Sequence, residues 1–350
     1  MPAAEAAPLA PRPVGDDELP ALFSQVFAHP AVLLACSGGP DSTALMELAA
    51  RWARLCPAAP ALFAATVDHG LRAAAAEEAQ VVAAQARRLA IPHAILTWAG
   101  PRITGSIQAR ARTARYALLV AHARQVGAQA IVTAHTLDDQ AETILMRLAR
   151  GSGLSGLAGM AAATRREGVT LLRPLLAIPK RRLIATLEAS RVGFVADPSN
   201  ANPAFTRVRV RALMPHLAGE GLDAAGLSRF GRRVARAEAA LEQAADQALA
   251  ALAPQPWPEA GPIRLARAAF FTLPEEIALR VLLRLLDAVG DEGPVELAKL
   301  ERLMARLGAA QADGRSVFAT LAGARIHLAP SRLEVARAMP RRARRMGNSA

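Results

Sequence analysis

The apolar run Ala31-Val32-Leu33-Leu34-Ala35-Cys36 passes directly into Ser37-Gly38-Gly39-Pro40-Asp41-Ser42. An unbroken run of this kind fits a strand covered on both faces. Two glycines and a proline then turn the chain into a helix expected to start near Ser42, so that several backbone N–H groups and a helix N-terminus surround one point. Such a point suits an anion. It is not the Walker A loop, because no lysine follows Gly39. Taken alone, the six residues also fit an ordinary strand-to-helix turn in which glycines relieve φ and a serine caps the helix.

From about Ala31 to Arg150 short apolar runs alternate with longer helical patterns. This rhythm predicts an α/β fold, a Rossmann-like open parallel sheet built from βαβ units. Strands are expected at Ala31 to Cys36, Ala61 to Val67, His93 to Thr97 and Ala130 to Ala134, with helices at Ser42 to Leu55, Ala74 to Leu89 and Ile107 to Val126. Ligands bind beyond the carboxyl ends of such strands. Ser37, Asp68, His69 and His135 fall there.

The glycine-rich stretch from Gly151 to Gly159 reads as a mobile loop over that edge. A strand near Thr170 to Arg173 and a helix from about Pro179 to Ser190 follow. Past Leu217 the chain turns to long Ala/Leu/Arg helices, near Leu227 to Ala253, Pro274 to Val289 and Glu296 to Leu307. Short alternating runs close it, at Ser316 to Leu321, Ala324 to Leu328 and Leu333 to Val335. The expected division is a disordered leader at 1–24, a catalytic domain at 25–217, a mainly helical α+β domain at 226–340 and a basic tail at 341–350.

Basic residues outnumber acidic ones, 42 against 30, for a net charge of +12, and the only lysines are Lys180 and Lys299. Arginine favours phosphate contacts and base stacking, so the balance points to an anionic macromolecule; a solvated basic surface is the plainer reading. The two cysteines, Cys36 and Cys56, offer neither a cluster site nor a disulfide framework. The Ala/Pro-rich start reads as a leader and not as a signal peptide, and no run reaches the ~20 apolar residues of a membrane span. A cytoplasmic protein with no membrane partner is expected.

A second constellation, His135-Thr136-Leu137-Asp138-Asp139-Gln140-Ala141-Glu142-Thr143, leads into a helix. Asp139 and Glu142, three apart, share a face of its first turn. Thr136 with Asp139 also reads as a capping box, and acids suit the positive end of a helix.

Five motifs in order carry a resemblance: residues 37–42; Val67-Asp68-His69-Gly70-Leu71-Arg72; Ala111-Arg112-Thr113-Ala114-Arg115-Tyr116; the His135 segment with its glycine loop; and Asp197-Pro198-Ser199-Asn200 with Arg207, Arg209 and Arg211. Together they resemble the tRNA(Ile)-lysidine synthase family of the pyrophosphate-loop ATPases, strongly over roughly residues 30 to 215. Val208 departs from the asparagine usual in the family's arginine segment. The resemblance implies a fold of the adenine nucleotide alpha hydrolase type. It also implies ligation of free L-lysine to C2 of the wobble cytidine in a CAU-anticodon isoleucine tRNA, through an adenylated cytidine, with ATP and Mg2+. By motif position it assigns Ser37, Gly38, Gly39, Pro40, Asp41, Ser42, Val67, His69 and His135 to ATP. Arg115, Asp139 and Glu142 go to lysine, Asp41, Asp139 and Arg207 to catalysis, and Asp41 to Mg2+. A homodimer is compatible with it. The rivals are a cytidine thiolase or an amide-forming synthetase, which the cysteine content disfavours, and a non-catalytic nucleotide sensor, which need not keep Asp139, Glu142 and Arg115 together.

Overall fold

The computed structural model describes residues 10–68, 74–98, 107–195, 202, 204–258 and 261–338. His69, the segment Asp197 to Asn200 and the basic tail lie outside the described residues. The chain forms two compact units, one of residues 1–150 and 158–232, the other of residues 151–157 and 233–350.

The first unit opens with a short helix, α1 (Leu19–Leu22), and β1 (Ala31–Ala35), followed by α2 (Pro40–Leu55), β2 (Ala61–Asp68), α3 (Ala74–Arg88), β3 (His93–Thr97), α4 (Ile107–Gln125), β4 (Ala130–Val132) and α5 (Leu137–Leu148). After a short helix, α6 (Leu154–Leu157), come β5 (Ala163–Arg166), β6 (Val169–Leu172), α7 (Lys180–Ala189) and α8 (Thr206–Gly219). The sheet order is β3-β2-β1-β4-β6-β5. All pairs are parallel except β5 with β6. β1 is central: it pairs with β2 on one side and β4 on the other, and Val32, Leu33 and Leu34 are all buried. Val32 and Leu34 point into a core made with α2 and α7, while Leu33 points into another made with Tyr116, Leu119, Val120 and Ala123 of α4. Because successive side chains alternate faces, a fully apolar strand is the one that can sit between two helical layers.

The switch in strand order at β1 and β4 opens a crevice beyond their carboxyl ends, the standard ligand position in such sheets. Residues 37–42 follow β1 and His135 follows β4, as the sequence predicts.

The expected leader is corrected in part. Val14, Leu19 and Phe23 are at most 2% exposed, and Phe23 stacks on Trp52 with centroids 4.9 Å apart. Arg182 donates to both Glu18 oxygens, and Arg51 pairs with Asp16. The apolar Leu19 and Phe23, four apart, were masked by Ala and Pro around them. Helix α2 begins at Pro40 rather than Ser42, since proline fits a first helical turn. The stretch expected as a glycine loop contains α6, and its residues 151–157 group with the second unit.

The second unit holds most of α9 (Ala224–Leu252), then β7 (Ile263–Ala266), α10 (Arg267–Phe271), α11 (Glu275–Val289), α12 (Leu297–Ala312), β8 (Val317–Leu321), β9 (Ala324–Leu328) and β10 (Arg332–Arg337). Its antiparallel sheet, ordered β7-β10-β9-β8, packs Ile326, Leu328, Leu333 and Val335 against Val281, Leu285 and Leu286 of α11 and Leu300 and Leu307 of α12. Many arginines here are structural. Arg280 pairs with Glu238, Glu242 and Glu276, and buried Arg267 donates to the carbonyls of Ala310, Arg315 and Ala329.

Removing the Phe23 ring leaves a cavity beside Trp52. Phe23→Ala is expected to lower unfolding stability by about 3–5 kcal/mol in urea titrations; a loss under ~1 kcal/mol would show that the segment before β1 is only loosely attached.

Candidate active site

At Gly38 the backbone takes φ +82°. A Cβ there would come within 3.1 Å of Val82 and 3.3 Å of Val195, so both conformation and space call for glycine. The turn is held by its own hydroxyls. Ser37 donates its backbone N–H to Ser42 Oγ (3.1 Å), Ser42 donates to the Gly39 carbonyl (3.1 Å), and the Thr43 hydroxyl donates to the Gly38 carbonyl (3.2 Å). Gly39 is the N-cap and has no side chain to cap with, and Pro40 opens α2 without an N–H, so the first N–H groups of the helix, on Asp41 and Ser42, receive no side-chain cap.

Asp41, in the first turn of α2, forms an ion pair with Lys180 at the start of α7, Nζ to Oδ2 2.9 Å. Its Oδ1 is buried with no hydrogen-bond partner. Burial pushes the Asp41 carboxyl up, Lys180 pulls it down, and Asp139 and Asp138 push it up again.

The start of α5 supplies the other acids. Thr136 donates both its N–H and its hydroxyl to Asp139 Oδ2, each at 3.0 Å, and accepts from the Asp139 N–H. The capping box is therefore real. Asp138 accepts the Lys180 backbone N–H at 2.7 Å. Glu142, 1% exposed, accepts from Arg211 Nε at 2.7 Å and Nη2 at 3.3 Å. Arg207 Nε lies 3.1 Å from its Oε2, an ion pair without the alignment of a hydrogen bond, and Arg207 also donates to Thr143. Burial raises the Glu142 carboxyl, with the Arg211 hydrogen bond opposing it.

These groups line one cavity of about 110 Å3, bounded by Asp41, Thr136, Asp138, Asp139, Glu142, Lys180, Arg211 and Met214. The structure thus brings together Asp41, Asp139 and Glu142, with Arg207 behind Glu142. Val67 lies near the end of β2, paired with Leu96. Arg115 lies on α4 and is not among the cavity-lining residues.

His135 Nδ1 and the Thr133 hydroxyl share a hydrogen bond of 2.8 Å, its direction set by the imidazole tautomer. Burial holds its pKa down at about 4, with Arg173, Arg112 and Arg207 adding to the effect and Asp139 opposing it. The imidazole is therefore neutral near pH 7, a hydrogen-bonding group and not a cation for phosphate. Gln140 donates to the Met160 carbonyl and accepts its N–H, and Arg147 donates to the Gly159 carbonyl, so the end of the glycine stretch is fastened to α5.

Lys180, Asp138 and Arg211 were not assigned to the site from the sequence. Only the i, i+4 spacing of Arg207 and Arg211, read as one helix face, signals that both reach the same acid.

A parallel sheet whose first strand enters a glycine turn and a helix at the switch point, with acids gathered at that edge, defines a pyrophosphate-loop nucleotide-binding domain. The PP-loop domain family model matches residues 15–217. The U34-tRNA thiolase of Methanococcus maripaludis shares the fold, with a TM-score of 0.55 at 18% identity over 63% of this chain and 77% of that one. The chain is 50% identical to the tRNA(Ile)-lysidine synthase of Bradyrhizobium diazoefficiens, over 94% of its length and 96% of the relative's. It is 52% identical to that of Rhodopseudomonas palustris, over 92% and 95%. The chain belongs to the tRNA(Ile)-lysidine synthase family.

The His135 shift has a measurable sign. Between pH 6.5 and about 4 the unfolded chain takes up a proton at this position that the folded chain does not, so stability falls as pH drops through that window. The His135 ring signals in an NMR titration are expected to move with a midpoint near 4; a midpoint near 6.5 would show that its surroundings are wetter and less positive than the structure indicates.

Proposed function

We propose that the cavity at the ends of β1 and β4 is where this chain, an ATP-dependent tRNA(Ile)-lysidine synthase, activates the wobble cytidine and joins lysine to it. The observation that carries the reading is that Asp139 and Glu142, on one face of α5, open into the same cavity as Asp41 at the glycine turn.

The cytosine O2 is a poor leaving group, and adenylation turns it into part of AMP, which departs readily. In that first step the charge develops on the outgoing pyrophosphate. The N–H groups at the start of α2 are pre-aimed dipoles for it, the arrangement that stabilises developing charge most economically. Asp41 fits Mg2+, because Oδ1 is an unpartnered carboxylate oxygen and magnesium needs only one or two carboxylates besides phosphates. Bound there, the ion would supply positive charge to the phosphates.

The second step needs a neutral amine, whereas free lysine has a side-chain pKa near ~10.4. Asp139 is the acid assigned to position that amine and accept its proton. Its Oδ2 is held by Thr136, which fixes the carboxylate plane. Glu142 is less suited to accept a proton, since Arg211 and Arg207 engage both oxygens. Its proposed part is to offer charge to the lysine ammonium while holding those arginines, and Arg115 and Arg207 are the proposed partners of the lysine carboxylate or the phosphates. The arginine-rich second unit is the proposed contact for the tRNA backbone. Among the described residues no helix is long and apolar enough to cross a membrane; the proposed place of work, on tRNA, is the cytoplasm.

The test is transfer of labelled lysine from solution into an unmodified CAU-anticodon isoleucine tRNA, with ATP present. Wild type is expected to label the RNA; no label and no pyrophosphate would remove the reading. Asp139→Ala is expected to slow labelling by about 10²–10⁴-fold, and Asp41→Ala to abolish ATP–pyrophosphate exchange. Near-normal rates in either variant would take that residue out of its role.

A further inference from the structure

The glycine turn has no lysine of its own, yet a lysine reaches it from 139 residues away in sequence. Lys180 Nζ sits 2.9 Å from Asp41 Oδ2, in the wall of the cavity and with its side chain 34% exposed. We propose that Lys180 is a further catalytic residue of the adenylation step, an ammonium that transfers from Asp41 to the phosphates of ATP and stays with the departing pyrophosphate. The inference rests on the adenylating reading given above.

Three observations support it. First, the root of the side chain is fixed. Lys180 opens α7 behind the N-cap Pro179, its N–H is held by Asp138, and Leu183 and Leu187 of the same helix are fully buried in the core shared with α2. Second, the charge balance changes when an anion arrives. Without phosphate, Asp41 faces Asp138 and Asp139, and Lys180 offsets that repulsion. With phosphate at the start of α2, the anion competes for the same ammonium. Third, the residue type suits a transfer between partners. Of 42 basic residues only two are lysines. A compact ammonium on a flexible stem can exchange one oxygen for another, where a guanidinium fork is committed to a planar bidentate partner, as Arg211 is to Glu142.

In the step, an electron pair of cytosine O2 forms a bond to the α-phosphorus. The bond from that phosphorus to the bridging oxygen breaks, and its electron pair leaves on the pyrophosphate. Lys180 gives up no proton. It remains an ammonium beside the oxygens that gain charge, which is where a fixed cation lowers the barrier.

Because there are only two lysines, wild-type protein can report on itself. Acetylation by an amine-reactive ester is followed by mass spectrometry at Lys180, with Lys299, paired to Glu296 in the second unit, as internal reference. Equilibrium dialysis in parallel measures bound ATP. With MgATP at about ten times its dissociation constant, Lys180 is expected to react about tenfold more slowly while Lys299 is unchanged. Lys180→Gln is expected to lower the maximal rate of ATP–pyrophosphate exchange, with Lys180→Arg restoring part of it. Bound ATP with unprotected Lys180 overturns the proposal and leaves the adenylating reading standing; so does protection together with an unimpaired Lys180→Gln. No ATP binding at all overturns both.

Discussion

Four carboxylates, Asp41, Asp138, Asp139 and Glu142, converge on one cavity, and the site exists because each has a counterpart that keeps it there. Like charges so placed repel strongly where water is scarce. Asp41 is offset by Lys180, Asp138 by a backbone N–H, Asp139 by Thr136, and Glu142 by Arg211 and Arg207. These partners also tie the elements together. Lys180 and Asp138 join α7 to α2 and α5, and Glu142 joins α5 to α8. The site and the packing of its walls are therefore one electrostatic arrangement, and removing one partner from a buried pair leaves an uncompensated charge.

The fold delivers those groups to one place through the switch in strand order. β1 and β4 are neighbours pointing the same way, so the helices that follow them, α2 and α5, present their N-termini side by side. The sharp turn at Gly38 starts α2 immediately after β1. Acids in the first turns of both helices gain from the helix dipoles, which helps offset their mutual repulsion. The same dipoles make the crevice receptive to phosphate once a nucleotide arrives.

Much of this was legible in local sequence. The apolar run before Gly38, the strand and helix rhythm to residue 150 and the Thr136–Asp139 capping box all rest on short-range signals. What was not legible depends on distant partners. Helix α8 contains Arg207-Val208-Arg209-Val210-Arg211, an alternation that imitates a strand and so obscures the i, i+4 face on which Arg207 and Arg211 meet Glu142. Strand β5 carries exposed arginines at a sheet edge and so lacks an apolar pattern. The Leu19 and Phe23 pair is too short to show a period, and nothing near Lys180 announces that it meets Asp41.

The central claim is that ATP activates the RNA base and not the amino acid. The direct measurement is to incubate wild-type protein with ATP labelled at the α-phosphorus and a CAU-anticodon tRNA, omit lysine, and digest the recovered RNA. The account predicts an AMP-labelled wobble cytidine, lost when lysine is added as lysidine forms. Label on lysine in the absence of tRNA, with none on the RNA, would contradict it.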